Sequence, residues 1–290
     1  MKRNLREIIR KAENHGVAIG HFNISNLEML KAIAETAAEF ETPVIIGTSE
    51  GEREFIDVHE AVALVKGLQE ERGQEIFLNA DHTHSLEKVK EAVEAGYDAI
   101  LFDGAKLPFE ENVKKTKEVA DYVKSVNPEI LVEGELGYIG SGSVVREELP
   151  EGVSIKPEDL TKPEEAARFV KETGIDLLAP AVGNVHGMLA SAPEPALDIK
   201  RIKAIREAAG VPLVLHGASG NTDEDLRASI DAGVTIIHIS TELRVAWRKG
   251  MEAGLKQKPD EIAPYKISES ALEEMKKVLE HKLKLFNKIL

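Results

Sequence analysis

The sequence predicts an α/β protein folded as a (β/α)8 barrel, the TIM-barrel architecture, and three observations support this prediction. A junction in which a helical stretch ends at Gly and a short strand follows recurs along the chain. Eight short runs are mostly apolar and lack polar–apolar alternation, which is typical of strands buried on both faces. Reactive side chains follow most of these runs, at the strand ends where such barrels place their functional sites.

The Gly junction sets the order of helices and strands. It recurs at Gly16, Gly96, Gly174, Gly210 and Gly233. Gly is favoured there because the residue after a helix commonly adopts a left-handed conformation. The predicted strands are 17–22, 43–48, 75–80, 98–102, 129–135, 175–180, 212–216 and 234–239.

Amphipathic stretches lie between the predicted strands, and 27–40 is an example. Its predicted buried face consists of Leu27, Leu30, Ile33, Ala34 and Ala37, and its predicted capping box of Ser25 and Glu28. Alternating strands and helices predict a parallel sheet, and eight strands favour a closed barrel over an open doubly wound sheet of about five or six. A further helix over about 268–290 is expected to pack on the barrel or to form an oligomer contact.

Length and composition limit the class of protein. The 290 residues fit one barrel domain over 1–290. A net charge of −14 argues against sequence-independent binding to nucleic acid. Without Cys, a transition metal must be held by His, Asp or Glu. No apolar run has signal-peptide or membrane-spanning length, so we expect a cytoplasmic protein that does not bind membranes.

The ends of the predicted strands carry the candidate catalytic residues. In chain order these are Asp81, His82, Asp103, Glu135, His186, His216 and His238. Several imidazoles beside carboxylates indicate a catalytic zinc, which takes three protein ligands and leaves one position open. For any one His, the alternative is a hydrogen bond within a packed barrel top. His84, beside Ser85 at a helix start, is expected to cap or to support the site rather than to bind metal.

The loops after the seventh and eighth predicted strands form a candidate phosphate site. Gly217-Ala218-Ser219-Gly220 lets backbone amides approach an anion. Ser240 and Thr241 offer hydroxyl groups and open a helix, whose N-terminus favours negative charge. Helix capping would explain one such turn, but two adjacent turns favour a site. The Gly-, Ser- and Pro-rich segments 136–162 and 181–198 are expected to be loops at the same face.

Together these residues resemble the class II fructose-bisphosphate aldolases, especially the branch that includes the tagatose-bisphosphate aldolases. The resemblance extends over nearly the whole chain. Its motifs are Gly20-His21-Phe22-Asn23, the run from Pro43 to Gly51, Asp81-His82, Glu133-Gly134-Glu135-Leu136-Gly137, His186-Gly187-Met188 and His216-Gly217-Ala218-Ser219-Gly220.

The resemblance implies reversible cleavage of fructose 1,6-bisphosphate to dihydroxyacetone phosphate and glyceraldehyde 3-phosphate, through a metal-stabilised enediolate. It implies that His82, His186 and His216 hold zinc or another divalent metal. Glu135 and Asp103 match carboxylates of an alternative or neighbouring metal position, and Asp81 matches the acid/base.

The resemblance also assigns substrate and ion contacts. Residues that match the dihydroxyacetone phosphate site are Gly187, Gly217, Ala218, Ser219, His238, Ile239, Ser240 and Thr241. Asn23 and Ser49 match secondary substrate contacts. Backbone near Gly183 and Ser219 matches a site for Na⁺ or K⁺. A homo-oligomer, either a dimer or a tetramer, is also expected.

Three positions depart from the family pattern. His238 stands where the family usually has Asn, which puts substrate geometry in question. The segment 140–148 lacks the usual acidic run with a proton-transferring Glu, for which Glu147 or Glu148 could substitute. Leu189 replaces an aromatic residue of many relatives, so the pocket for the aldehyde differs.

These departures leave other functions open. The substrate could be tagatose 1,6-bisphosphate, or another aldehyde could be joined to dihydroxyacetone phosphate.

A metal-dependent hydrolase would explain His82-Thr83-His84, but that class places its paired histidines on the first strand. A sugar-phosphate-binding barrel without activity would explain the phosphate loops alone, and the presence of Asp81 and three zinc-site histidines argues against it.

Overall fold

The computed structural model describes residues 4–289, and eight parallel strands within it close into a barrel. With the separate pair β6 and β8, the strands of the described residues are β1 (Ile19–Asn23), β2 (Val44–Thr48), β3 (Ile76–Thr83), β4 (Ala99–Phe102), β5 (Leu131–Leu136), β6 (Val145–Arg146), β7 (Leu177–Pro180), β8 (Met188–Leu189), β9 (Leu213–Leu215) and β10 (Val234–Ile239). Around the barrel the order is β1, β2, β3, β4, β5, β7, β9, β10, and β10 pairs with β1. The predicted (β/α)8 barrel is confirmed.

The helices alternate with the barrel strands. They are α1 (Leu5–His15), α2 (Leu27–Glu39), α3 (Glu50–Ile56), α4 (Val58–Arg72), α5 (Leu86–Ala95), α6 (Phe109–Val126), α7 (Pro163–Thr173), α8 (Ile199–Ala209), α9 (Asp223–Asp231), α10 (Thr241–Gln257), α11 (Pro264–Ile267) and α12 (Glu269–Phe286). Gly16, Gly96, Gly174 and Gly210 are left-handed C-caps as predicted, whereas the C-cap of α9 is Ala232, one residue before Gly233.

Three local predictions were wrong. The segments 136–162 and 181–198 are not loops throughout, because each contains a two-residue strand, and β6 pairs with β8 in parallel beside the barrel mouth. The start of α2 is capped by Asn26, which accepts from the backbone N–H of Met29, so Ser25 does not form the predicted box. Leu27, expected on the buried face of α2, is 53% exposed because it lies at the first turn.

The N-terminal end of the barrel is closed by α1. Its buried residues Leu5, Ile8, Ile9 and Ala12 form one apolar cluster with inward-facing residues of the strands, such as Ile45. Burying an aliphatic side chain of this size contributes about 1.5–3 kcal/mol. The N-terminal half of the barrel interior is therefore apolar, and polar side chains collect at the opposite end.

The C-terminal helix α12 packs on α10 and α2. Met275, Leu279, Leu283 and Phe286 are fully buried, so the predicted apolar face covers the barrel of its own chain. A Cβ at Gly250 or Gly254 of α10 would overlap backbone atoms of Ala271 or Ile267, which shows how closely these segments approach. Within residues 4–289, the helices are too short or too polar to cross a bilayer.

Candidate active site

A cavity of about 370 Å³ opens at the carboxyl ends of the barrel strands. Its walls contain most of the residues predicted from sequence. These are Asn23, Ser49, Asp81, His82, Asp103, His186, Gly187, His216, Gly217, Ser219, His238, Ser240 and Thr241. The polar residues of this end therefore face one common space, as the barrel topology requires.

Three histidines converge on the floor of the cavity. His82 is the next-to-last residue of β3, His186 precedes β8, and His216 follows β9. One ring nitrogen from each lies within 4.8 Å of the others. The backbone of His82 has a φ of 43°, a left-handed conformation that costs energy in a residue with a side chain and is typical of functional sites. The strand end is thus shaped to aim His82 at the other two rings.

Each of these rings is oriented by a hydrogen bond on its other nitrogen. His186 Nδ1 lies 2.9 Å from the carbonyl oxygen of Gly140, which assigns Nδ1 as the donor and leaves the Nε2 lone pair free. His216 Nε2 lies 2.7 Å from Glu133 Oε1, and His82 Nδ1 lies 3.0 Å from Asp103 Oδ2. Partners of this kind fix the tautomer of metal-binding histidines. Sequence reasoning placed Glu133 in a motif but missed this role.

The protonation states favour metal binding. Burial, together with the neighbouring His82, lowers the pKa of His186 and of His216 to about 3, so both rings are neutral ligands. Burial would also lower the pKa of His82, but Asp81, Asp103 and Glu135 raise it to about 10. Without a metal, His82 therefore carries the positive charge that balances the surrounding carboxylates. Zinc at this point would replace that proton.

A second group of possible ligands shares His82. Asp103, Glu135 and His82 each offer an atom within 4.8 Å of the others. Burial, together with Asp103, raises the pKa of Glu135 well above its usual value. Glu135 Oε2 and Asp81 Oδ1 are buried without a hydrogen-bond partner among the described residues. Unpaired buried oxygens are costly, so this donor set fits a divalent cation that accepts imidazole and carboxylate ligands.

The family model described as fructose-bisphosphate aldolase class-II matches residues 3–289. The chain belongs to the class II fructose-bisphosphate aldolase family. Its members are aldolases and are generally metal-dependent, which agrees with the convergence of His82, His186 and His216.

Solved structures of class II aldolases are similar over the full chain. The YdjI aldolase from Escherichia coli K12 is 31% identical, with a TM-score of 0.82 over 99% of this chain and 97% of that one. A candidate fructose-1,6-biphosphate aldolase from Coccidioides immitis is 28% identical, with a TM-score of 0.83 and full coverage of both chains. The fructose-bisphosphate aldolase from Campylobacter jejuni, at 21% identity, has the same fold with a TM-score of 0.80 over 98% of this chain and 94% of that one.

The candidate phosphate loops of this aldolase meet at the start of α10. Ser219 Oγ accepts from the backbone N–H groups of Ser240 at 3.3 Å and Glu242 at 3.4 Å. Gly217 has a φ of 60°, and a Cβ there would overlap the carbonyl of Val185. The predicted residues Ala218, Ile239 and Gly183 do not line the cavity. The side chains of Ala218 and Ile239 pack in the apolar core, so only their backbone atoms could contact a phosphate.

His238, the departure from the family pattern, stacks on His21, which the sequence placed in a motif without assigning it a role. Its ring lies 3.4 Å from that of His21, with planes 3° apart, and both are buried. His21 and Asn23 are two residues apart on β1 and so face the same side, which is the signal that could have identified His21. A Cβ at Gly47 would overlap the His21 ring, so Gly47 provides the room for it.

The acid/base candidate Asp81 is held from two directions. Asn23 Nδ2 donates to Asp81 Oδ2 at 2.9 Å, and Arg53 Nη1 donates to the backbone carbonyl of Asp81 at 3.1 Å. Burial would raise the pKa of Asp81, but His82, His21 and His216 hold it below its usual range. The carboxylate is thus ionised at neutral pH, with no hydrogen bond to Oδ1 among the described residues.

The segment after β5 covers one side of the mouth. Ser143 Oγ donates to Ser240 Oγ at 3.1 Å, which joins this segment to the phosphate loops. Glu147, considered for proton transfer, accepts from Ser191 Oγ at 3.0 Å. Neither Glu147 nor Glu148 lines the cavity. His84 lines the cavity and donates its backbone N–H to Glu50. Its Nδ1 lies 3.2 Å from the carbonyl oxygen of Asp103. The helix that follows, α5, is capped by Ser85.

Proposed function

We propose that this aldolase is zinc-dependent and cleaves fructose 1,6-bisphosphate reversibly to dihydroxyacetone phosphate and glyceraldehyde 3-phosphate. The observation that carries the proposal is the convergence of His82, His186 and His216 beside Asp81, in one cavity with the loops that contain Ser219 and Ser240. By the same resemblance we expect a cytoplasmic homo-oligomer, a dimer or a tetramer.

In this proposal His82, His186 and His216 hold zinc, with Glu135 and Asp103 available for a neighbouring position. Bound zinc would draw charge from the carbonyl of the ketose phosphate and so lower the barrier to carbon–carbon cleavage. The protein contributes the orientation of the rings, through Gly140 and Glu133, and a buried setting in which charge interactions are strong.

Asp81 acts as the general base in cleavage and as the general acid in synthesis. Its Oδ1 takes the proton from the C4 hydroxyl group as the bond between C3 and C4 breaks. The bond from Asn23 to Oδ2 holds the carboxylate in one orientation. In synthesis the same oxygen returns the proton to the aldehyde oxygen. Ser49, at the end of β2, lies on the same wall and is assigned to the substrate.

The phosphate group of dihydroxyacetone phosphate is assigned to the start of α10. Gly217, Ser219, Ser240 and Thr241 line this end of the cavity. The N-terminus of the seventeen-residue helix α10 adds a favourable dipole. Gly187 completes this wall. The backbone near Gly183 and Ser219 is assigned to Na⁺ or K⁺.

A second candidate differs only in the aldehyde. His238 replaces the usual Asn at a position where the family contacts reacting substrate, and this favours tagatose 1,6-bisphosphate or another aldehyde product. The deciding experiment incubates the zinc-loaded protein with dihydroxyacetone phosphate and a panel of aldehydes, and determines the C4 configuration of each ketose. Fructose 1,6-bisphosphate from glyceraldehyde 3-phosphate supports the first proposal, and the tagatose isomer supports the second. No product with any aldehyde would contradict both and favour a sugar-phosphate-binding protein.

A further inference from the structure

Glu52 is a buried carboxylate behind the wall of the cavity, and no predicted role accounts for it. It lies on α3, directly after β2, and is 6% exposed. Its oxygens are not part of the candidate metal groups. A buried carboxylate is costly unless it is paired and hydrogen-bonded, so its partners show what it does.

Four hydrogen bonds satisfy the carboxylate. Oε2 accepts from Asn23 Nδ2 at 3.0 Å, from the backbone N–H of Ser49 at 2.8 Å and from Ser49 Oγ at 2.9 Å. Oε1 accepts from Arg244 Nη2 at 2.6 Å. These partners come from the ends of β1 and β2 and from the first turn of α10. Glu52 thus joins three elements that surround the cavity.

Helix capping explains only part of this arrangement. Ser49 and Glu52 form a capping box at the start of α3, as Asn4 and Glu7 do at the start of α1. Glu7 is exposed, whereas Glu52 is buried and also bonds residues 29 and 192 positions away. A capping residue needs neither burial nor distant partners. The bonds to Asn23 and Arg244 therefore need another reason.

Asn23 connects Glu52 to the reacting groups. Its amide nitrogen has two N–H groups, and its two acceptors are Glu52 Oε2 and Asp81 Oδ2. With one N–H held by Glu52, the other is directed at Asp81, and the free Oδ1 of Asp81 remains the oxygen for the substrate. Arg244 pairs with Glu52 and balances the charge of this buried carboxylate.

We propose that Glu52 is a positioning residue that fixes Asn23 and, through Asn23, the carboxylate of Asp81. Glu52 itself does not line the cavity. The inference rests on the proposed function, because it gives Asp81 the acid/base role. Loss of Glu52 affects the step that needs Asp81, which is cleavage or formation of the carbon–carbon bond. Proton exchange at C3 of dihydroxyacetone phosphate alone needs no aldehyde and is expected to be independent of Glu52.

The test compares Glu52→Ala with Glu52→Gln, which keeps an acceptor oxygen for Asn23. We expect Glu52→Ala to lower kcat for cleavage about 30-fold, while KM changes less than about threefold. The loss is smaller than the roughly 100- to 10,000-fold that general acid–base catalysis contributes, because Asp81 itself remains. Glu52→Gln should recover most of the loss. Exchange of solvent deuterium into dihydroxyacetone phosphate, followed by NMR, should stay within about twofold of wild type. Glu7→Ala is the control for loss of a capping carboxylate, and it should leave kcat unchanged.

A double-mutant cycle with Asn23→Ala adds a readout that a structural role would not change. If Glu52 acts through Asn23, the double variant is no slower than Asn23→Ala alone. Should Glu52→Ala fail to fold, Glu52→Asp carries the comparison, because its shorter carboxylate keeps the charge and loses the reach to Asn23. Three outcomes overturn the inference but leave the proposed function in place. They are additive losses in the double variant, equal losses of exchange and cleavage, and full kcat in folded Glu52→Ala. Wild-type protein that neither cleaves nor exchanges overturns the proposed function, and this inference with it.

Discussion

The side of the cavity that holds His82, His186 and His216 is built from residues at the ends of strands, and each is oriented by one neighbour. The adjoining side begins at His238, whose ring lies 3.8 Å from that of His216. There His21 lies within β1 and stacks on His238, and Glu52 lies on α3 and accepts from Asn23. The metal side resembles the family pattern, whereas His238 departs from it. We propose that the chemistry common to the family is held on the metal side and that His238 contributes to substrate choice.

The largest effect is expected on the metal side. His216→Ala removes one of the three proposed zinc ligands and leaves Glu133 without its partner. Cleavage should therefore fall at least about a thousandfold, since a catalytic metal contributes several kcal/mol. Zinc content, measured by elemental analysis, should fall with it. His281→Ala is the control, because His281 is exposed and pairs with Asp223. Full zinc content with full activity in His216→Ala would contradict the assignment of the metal side.

A smaller loss of cleavage activity is expected from mutation of Asp81, which lies where the two sides meet. Asp81→Asn keeps the shape of the side chain and removes the base, so kcat for cleavage should fall by about two to three orders of magnitude. Zinc content and deuterium exchange into dihydroxyacetone phosphate should stay near wild type, because Asp81 is not assigned to either. Loss of exchange together with cleavage would show that Asp81 serves the whole site.

The departure from the family pattern at His238 can be reversed by mutation. His238→Asn restores the usual family residue and removes the ring stacked on His21. We expect the ratio of kcat/KM between two aldehydes of the panel to change about tenfold, with zinc content unchanged, because pocket contacts discriminate by about this amount. An unchanged ratio would show that His238 does not contribute to substrate choice.

The protonation of His82 gives the smallest expected effect. Because carboxylates raise its pKa to about 10, His82 is protonated at pH 8 in the metal-free protein and must lose its proton when zinc binds. His186 and His216 are already neutral. Calorimetry in buffers of different ionisation enthalpy should detect about one proton released per zinc at pH 8, and affinity should weaken as pH falls. Release of no proton would contradict the raised pKa.

The same contrast explains what the sequence could predict. Strand positions, the Gly caps and the residues that end each strand follow from local patterns, since a parallel barrel places all carboxyl ends together. Glu52 and Arg244 are 192 positions apart, and their contact depends on how α3 and α10 pack, which no local pattern contains. The pairing of β6 with β8 was missed for another reason. Two residues carry too little periodicity to predict a strand.

The most direct test of the central claim measures cleavage of fructose 1,6-bisphosphate before and after removal of metal. The account predicts that a chelator abolishes cleavage, that zinc restores it, and that borohydride with substrate leaves the enzyme active, because His82, His186 and His216 form a metal site and no Schiff base is needed. Cleavage that persists in metal-free protein, or inactivation by borohydride only when substrate is present, would contradict it.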